Sequence, residues 1–208
     1  GVATLNLVKE IKDDLHLDPW DYDINNPEFE NDRPTYELLA SGKTNGVFQV
    51  ESAGMKDLLI RLKPKLEQLD FEVISVILAL YRPDSMGALD EYVEMATGGS
   101  RPPSIHPDMD EILKDTNYCM IYQEQLLDIV KKFGGRTYGG ADLFRKAIGK
   151  KIVELVQKES EILRGEIVAN GYSKEIADKI ANELSQKGGY LFNKSHSYSY
   201  AVLCFETA

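Results

Sequence analysis

Apolar residues recur along this chain at helical spacing and seldom alternate, so the pattern predicts a mainly α fold with little β structure. The stretch ATLNLVKEIKDDL (3–15) reads as a short amphipathic helix. A polar loop, DPWDYDINNPEFENDRP, follows it. A second helix starts near Pro34, a favoured first-turn residue after Asp32, and ends at Ser41-Gly42, where Gly suits a left-handed C-cap. Residues 43–52 alternate weakly around Val47, Phe48 and Val50, which fits a short strand or an extended link. MKDLLIRLKP is helical up to Pro64, and LEQLDFEVISVILALYRP is apolar almost all round from Phe71 to Leu80, the signature of a central buried helix ended by Arg82-Pro83. The Gly/Pro-rich TGGSRPPSIHP separates the halves. Beyond it the pattern predicts helices at 107–115, 119–133, 139–151 continuing through 152–170, and 173–186, with Gly171 after Asn170 as a C-cap and Ser173 restarting the pattern.

Composition narrows the class. The chain has 208 residues, ample for a buried core, with ordinary hydrophobic and charged fractions and a net charge of −10. No segment reaches the apolar length of a membrane span, no signal-peptide pattern is visible, and Cys119 and Cys204 form neither a disulfide framework nor a zinc motif. His16, His106 and His196 show no metal-binding spacing. A reducing cytoplasmic setting is the expectation, with no membrane partner and no metal bound by this chain. The start at Gly1 and the stop after SYAVLCFETA lead us to expect a piece of a longer protein.

Charge then singles out one stretch. KKFGGRTYGGADLFRKAIGKK carries Lys131, Lys132, Arg136, Arg145, Lys146, Lys150 and Lys151 against Asp142, a net of +6 on a remainder of −16. Such a concentration reads either as a polyanion-binding surface or as a solvated helix face. Gly139-Gly140 precede a helical stretch on which Asp142, Lys146 and Lys150 share a face at i, i+4, i+8. Arg145 lies one turn from Gly149, where a ligand can approach the backbone. The planar fork of Arg holds two phosphate oxygens and Lys offers a mobile point charge, so this row suits a triphosphate or a phosphodiester backbone. The Asp142–Lys146 pair serves equally as an ordinary helix salt bridge.

A second dense group is Asn193-Lys194-Ser195-His196-Ser197, after Gly188-Gly189-Tyr190-Leu191-Phe192. It suits contacts to sugar, base or phosphate, or is simply a polar turn. Tyr122-Gln123-Glu124-Gln125 offers amides and a carboxylate on a helix, Arg82 leaves the most apolar helix, and Glu124 is the internal carboxylate candidate for Arg82 or Arg145. Ser41-Gly42-Lys43-Thr44 imitates the end of a phosphate-binding P-loop, but the Gly required at position 37 is Glu37 and the preceding TYELLA is helical. No nucleophile stands with a base, and the D-x-D at Asp21-Tyr22-Asp23 lies in a polar loop. Substrate binding, rather than a reactive centre, is the chemistry these residues offer.

GVFQVESAGMKDLL (46–59), ALYRPDSMG (79–87), IYQEQLLDIV (121–130), GGADLFRKAIGKK (139–151) and GYLFNKSHSYSYA (189–201) together resemble, in order and spacing, landmarks of the alpha subunits of bacterial DNA polymerase III, the family C replicative polymerases. The resemblance covers essentially the whole chain. It implies that residues 1–42 are an acidic helical connecting segment following the palm, and 43–208 a helical fingers domain (43–97, a loop at 98–106, then 107–208). It implies a DNA-directed DNA polymerase whose catalytic aspartates and Mg2+ ions lie outside this chain, which by itself is inactive and holds no catalytic residue. Arg145, Lys146, Lys150, Asn193, Lys194, His196 and Arg82 would then contact the incoming deoxynucleoside triphosphate. Lys131, Lys132, Arg136 and Lys151 would contact template-primer DNA, with Tyr122, Gln123, Glu124, Gln125 and Asp142 in support. Other replicase subunits would be partners of the full-length protein. Three departures mark a divergent member: Lys146 where a second arginine is usual, Asp84-Ser85 in place of Gly-Pro after Arg82-Pro83, and Tyr118 in place of Gly. The competing reading is a non-catalytic helical module that binds DNA or protein through its basic helix.

Overall fold

A computed structural model describes all residues except 1, 19, 21, 22, 24, 25, 27 and 102, and of residues 2, 3, 4 and 7 the backbone only. The Asp21-Tyr22 part of the D-x-D therefore lies outside the described residues. Twelve α-helices are present and no strand among the described residues: α1 (Val2–Asp14), α2 (Arg33–Ala40), α3 (Ala53–Arg61), α4 (Lys63–Leu66), α5 (Phe71–Leu80), α6 (Met86–Ala96), α7 (Pro107–Leu113), α8 (Gln123–Gly134), α9 (Tyr138–Gly149), α10 (Val153–Ala169), α11 (Lys174–Lys187) and α12 (Lys194–Glu206). The mainly α expectation holds. Side chains that cap orphan N–H groups start several of them: Ser52 accepts from the Met55 amide, Thr137 from Gly140 and Ser173 from Ile176.

Four elements differ from the sequence pattern. Residues 43–52 form turns, not a strand: the buried Thr44 hydroxyl donates to the Val50 carbonyl at 2.6 Å and closes the segment on itself. That buried hydroxyl, with Gly42 at φ +68, also removes Ser41–Thr44 from consideration as a phosphate loop. Helix α6 was not anticipated. The basic helix does not run on into α10, because Lys151 takes φ +56 and breaks it. Asn193–Ser197 is no polar turn; Lys194 starts α12.

The chain divides into two compact units, 1–78 with 196–208, and 79–195. The division thus falls inside α5 and α12, and residues 1–42 and 43–78 share one unit. In the first unit, an aromatic cluster forms the centre: Phe205 packs within 5.5 Å, ring centre to ring centre, of Phe29, Tyr36 and Phe71. Ser75 of α5 and Ser197 of α12 share a buried hydrogen bond of 3.0 Å. In the second unit, α7 to α11 enclose a core of Leu126, Ile129, Val130, Phe133, Phe144, Leu163, Ile167, Ile180 and Leu184. Buried faces on α8 and α9 repeat at helical spacing, which leaves the opposite face of α9 for its charges.

Candidate polyanion-binding site

Everything described here belongs to the second unit unless stated. Its centre is a single parallel β-bridge between Tyr122 and Phe192. The Gln123 amide donates to the Phe192 carbonyl at 2.8 Å and the Phe192 amide to the Ile121 carbonyl at 2.9 Å. This bridge joins two segments 70 residues apart in sequence, at the N-terminus of α8 and just before α12. Gln125, buried, supports it from beneath: its Oε1 accepts from the Ile121 and Tyr122 amides, each at 2.9 Å, and its Nε2 donates to Thr116 Oγ1 at 2.7 Å. Tyr122 is fully buried and anchors the same corner.

Four cations lie against this bridge. Arg82 places its guanidinium 4.7 Å from the Phe192 ring centre and donates from Nη2 to the Tyr190 carbonyl at 3.1 Å. Its Nε donates to Ala79 O at 2.7 Å and Nη2 also to Ser85 Oγ at 2.9 Å, leaving Nη1 without a partner among the described residues. Burial pulls this guanidinium below its ordinary pKa, opposed by Asp84. Lys194 sets Nζ 5.2 Å from the Tyr122 ring centre, and Lys151 sets its own 3.9 Å from that of Tyr190. Arg145, from α9, donates from Nη1 to Gln123 Oε1 at 3.3 Å, while Gln123 Nε2 reaches the Leu191 carbonyl at 3.3 Å. Gln123 is thus a strap between the basic helix and the 190–194 segment.

Of the two carboxylates, Asp142 keeps the Lys146 partner the sequence suggested and Glu124 does not keep its own. Glu124 pairs with neither arginine; it accepts from Asn193 Nδ2 and from the Lys194 amide, both at 2.9 Å, and so caps the start of α12 from another helix. Asp142 takes both cations of α9: Oδ1 meets Arg145 Nε at 2.9 Å and Nη2 at 2.8 Å, and Oδ2 meets Lys146 Nζ at 2.7 Å. Hydrogen bonds from Lys146 and Arg145 hold this carboxyl below the usual aspartate range. Lys150 caps α9, is exposed, and makes no ion pair among the described residues. The space a side chain would occupy at Gly149 is open, as close backbone approach requires.

The remaining basic residues part company. Lys131 and Lys132, with half-exposed side chains, hold loose pairs with Asp128 (3.7 Å) and Asp108 (3.2 Å), and Lys131 also sits 4.7 Å from the Tyr138 ring centre. Arg136 is engaged internally instead. Its side chain is 13% exposed, Nε meets Glu166 at 2.7 Å, Nη1 meets Glu159 at 3.4 Å, and its guanidinium packs 5.4 Å from the Phe144 ring centre. Its charge is spent on joining α9 and its approach to α10. His196 falls in the first unit, with its ring 4.6 Å from that of Tyr200. Tyr190 and Phe192, which the sequence places before the dense polar group without a role, seat Lys151 and Arg82. Among the described residues no three His, Cys, Asp or Glu side chains cluster as metal ligands.

The second unit is thus a helical module that gathers cations from three separate segments around one bridge, with two aromatic seats and a capped helix start. Residues 4–171 match the family described as bacterial DNA polymerase III alpha subunit finger domain. Curated relatives similar to the chain include the DNA polymerase III subunit alpha of Rickettsia conorii, 38% identical over all of this chain and 17% of the relative. That of Aquifex aeolicus is 39% identical over all of this chain and 17% of the relative, and that of Borreliella burgdorferi 36% identical over all of this chain and 18% of the relative. The chain belongs to the bacterial DNA polymerase III alpha subunit finger domain family. It spans about a sixth of the length of the relatives it matches.

Proposed function

We propose that this chain is the fingers part of a bacterial replicative DNA polymerase, and that its basic helix holds the triphosphate of the incoming deoxynucleotide. The observation that carries the reading is the convergence of Arg82, Arg145, Lys151 and Lys194 on the Tyr122–Phe192 bridge. A lone basic helix face would have no reason to be tied by backbone and side-chain bonds to two distant motifs.

In this reading Arg145, Lys146 and Lys150 meet phosphate oxygens, with Arg82, Asn193 and Lys194 closing the far side. Lys131, Lys132 and Lys151 follow the DNA backbone. Arg136 leaves the DNA set because Glu159 and Glu166 already neutralise it. The complete enzyme would supply Mg2+ and the carboxylates that bind it, along with other replicase subunits, in the cytoplasm. Among the described residues no helix is long and apolar enough to cross a membrane.

The test is nucleotide binding by the complete polymerase carrying this chain. Arg145→Ala should raise the KM for deoxynucleoside triphosphates by about tenfold or more, and Lys146→Ala by a few-fold, with little change in DNA affinity. Weakened DNA binding with unchanged KM would instead favour a helical DNA-binding module.

A further inference from the structure

Asp142 stands at the centre of the proposed triphosphate grip, on the same helix as the cations. Its two oxygens are divided between them: Oδ1 takes two guanidinium nitrogens of Arg145, at 2.8 and 2.9 Å, and Oδ2 takes the Lys146 ammonium at 2.7 Å. With Gln123 on Nη1, three of the five Arg145 N–H groups are engaged, and Asp142 holds the whole Nε–Nη2 edge. A phosphate oxygen that is to use the Nε–Nη2 edge of Arg145 must therefore take the place of the carboxylate oxygen, and beside it Asp142 competes for the Lys146 ammonium. The exchange is feasible, because Asp142 and Lys146 side chains are 30% and 59% exposed and nothing else among the described residues bonds the carboxylate. A carboxylate and a phosphate oxygen offer the same chemistry to these donors, so the geometry they find is already the one they hold.

We infer that Asp142 is a resident counter-anion that competes with polyphosphate for Arg145 and Lys146, lowering the affinity of both the incoming triphosphate and the leaving pyrophosphate. The inference rests on the reading of Arg145 and Lys146 as triphosphate contacts. Without a resident anion, the two adjacent cations repel each other and hold pyrophosphate after the bond to the growing strand has formed. With it, each product departure is met by return of the carboxylate. Nothing covalent is involved; one anion replaces another. The alternative role, a scaffold that aims Arg145, makes the opposite forecast, since loss of a scaffold weakens binding.

The sign of one change separates these. In the complete polymerase, Asp142→Asn keeps the size of the side chain and removes its charge. The inhibition constant for added pyrophosphate and the KM for deoxynucleoside triphosphate should both fall, by roughly three- to tenfold, the range for losing two partly exposed ion pairs. Asp142→Glu, which retains the charge, should return both toward the parent. A rise in both constants for Asp142→Asn would assign Asp142 to scaffolding and overturn the inference, and so would no change in either. Arg145→Ala on the parent background checks the underlying reading separately. If it leaves KM unaltered, the triphosphate assignment fails; if it raises KM while Asp142→Asn does not lower it, only the counter-anion role fails.

Discussion

Single residues decide how well the bridge is held. Gln125 satisfies two buried amides with one oxygen, so Gln125→Leu leaves the Ile121 and Tyr122 N–H groups without an acceptor. A loss of about 2–4 kcal/mol in chemical denaturation is expected, at unchanged m-value. Arg136→Ala strands Glu159 and Glu166 together and should cost about 2–3 kcal/mol, reduced from a fully buried pair because those carboxylates are partly wet. DNA affinity should stay at the parent value, which a filter-binding titration checks. Burial pushes the Cys119 and Cys204 thiols up to about 12. Raised values favour the protonated thiol in the fold, so any stability they lend is present at neutral pH and is lost on strong alkalinisation. At pH 8 neither should react with a thiol reagent until the protein unfolds, a point settled by comparing labelling in buffer and in denaturant. Asp142 and Glu175 behave in the opposite sense. Both are held low, by Lys146 and Arg145 and by Lys179 respectively, so their contribution is present above the ordinary carboxylate range and disappears as pH falls below about 4.

At the scale of elements, close approach fixes the turn that presents the 190–194 segment. A Cβ on Gly188 would come within 2.8 Å of Ile148 Cγ2 and 3.0 Å of Leu126 Cδ1, so the turn after α11 sits directly on α8 and α9. Gly188→Ala should destabilise by about 1–3 kcal/mol and displace Tyr190 from Lys151, visible as lower Tm. The helices most legible in the sequence were those with a one-sided apolar face, such as α8, and the uniformly apolar α5. Helix α12 was opaque because its buried positions, Ser197, Ala201, Cys204 and Phe205, run at helical spacing but begin with small and polar residues. Ser197 is buried against another serine, a pairing that no hydrophobic pattern announces. Alternation at 43–52 misled for a related reason: Val47 and Val50 are buried, but by turns that have no partner strand. The break between α9 and α10 rests on a lysine at positive φ, which sequence reading assigns to Gly or Asn. The cations themselves were legible as a cluster. The Asp142–Lys146 pair was legible from its i,i+4 spacing; the partners of Glu124, Asn193 and the Lys194 amide, lie about 70 residues away and were not.

Over the whole molecule, a net charge of −10 opposes the approach of nucleic acid except where the cations are gathered. Binding of DNA to the complete polymerase should therefore fall steeply with salt. Lys132→Ala, which removes one loosely paired cation, should reduce the log–log slope by about 0.7–0.9 without altering KM for nucleotide.

The Tyr122–Phe192 bridge has a consequence in time as well as space. Arg145 leaves the ribosome 49 residues ahead of Lys194, an interval of roughly 2–10 s at ordinary rates of translation. Throughout it the segment that completes the cation cluster has not been made. Asp142 has: it is synthesised three residues before Arg145 and four before Lys146, within one turn of the same helix. Two of the cations in the nascent basic stretch, Arg145 and Lys146, thus emerge with their counter-ion already synthesised, well before the 190–194 segment exists.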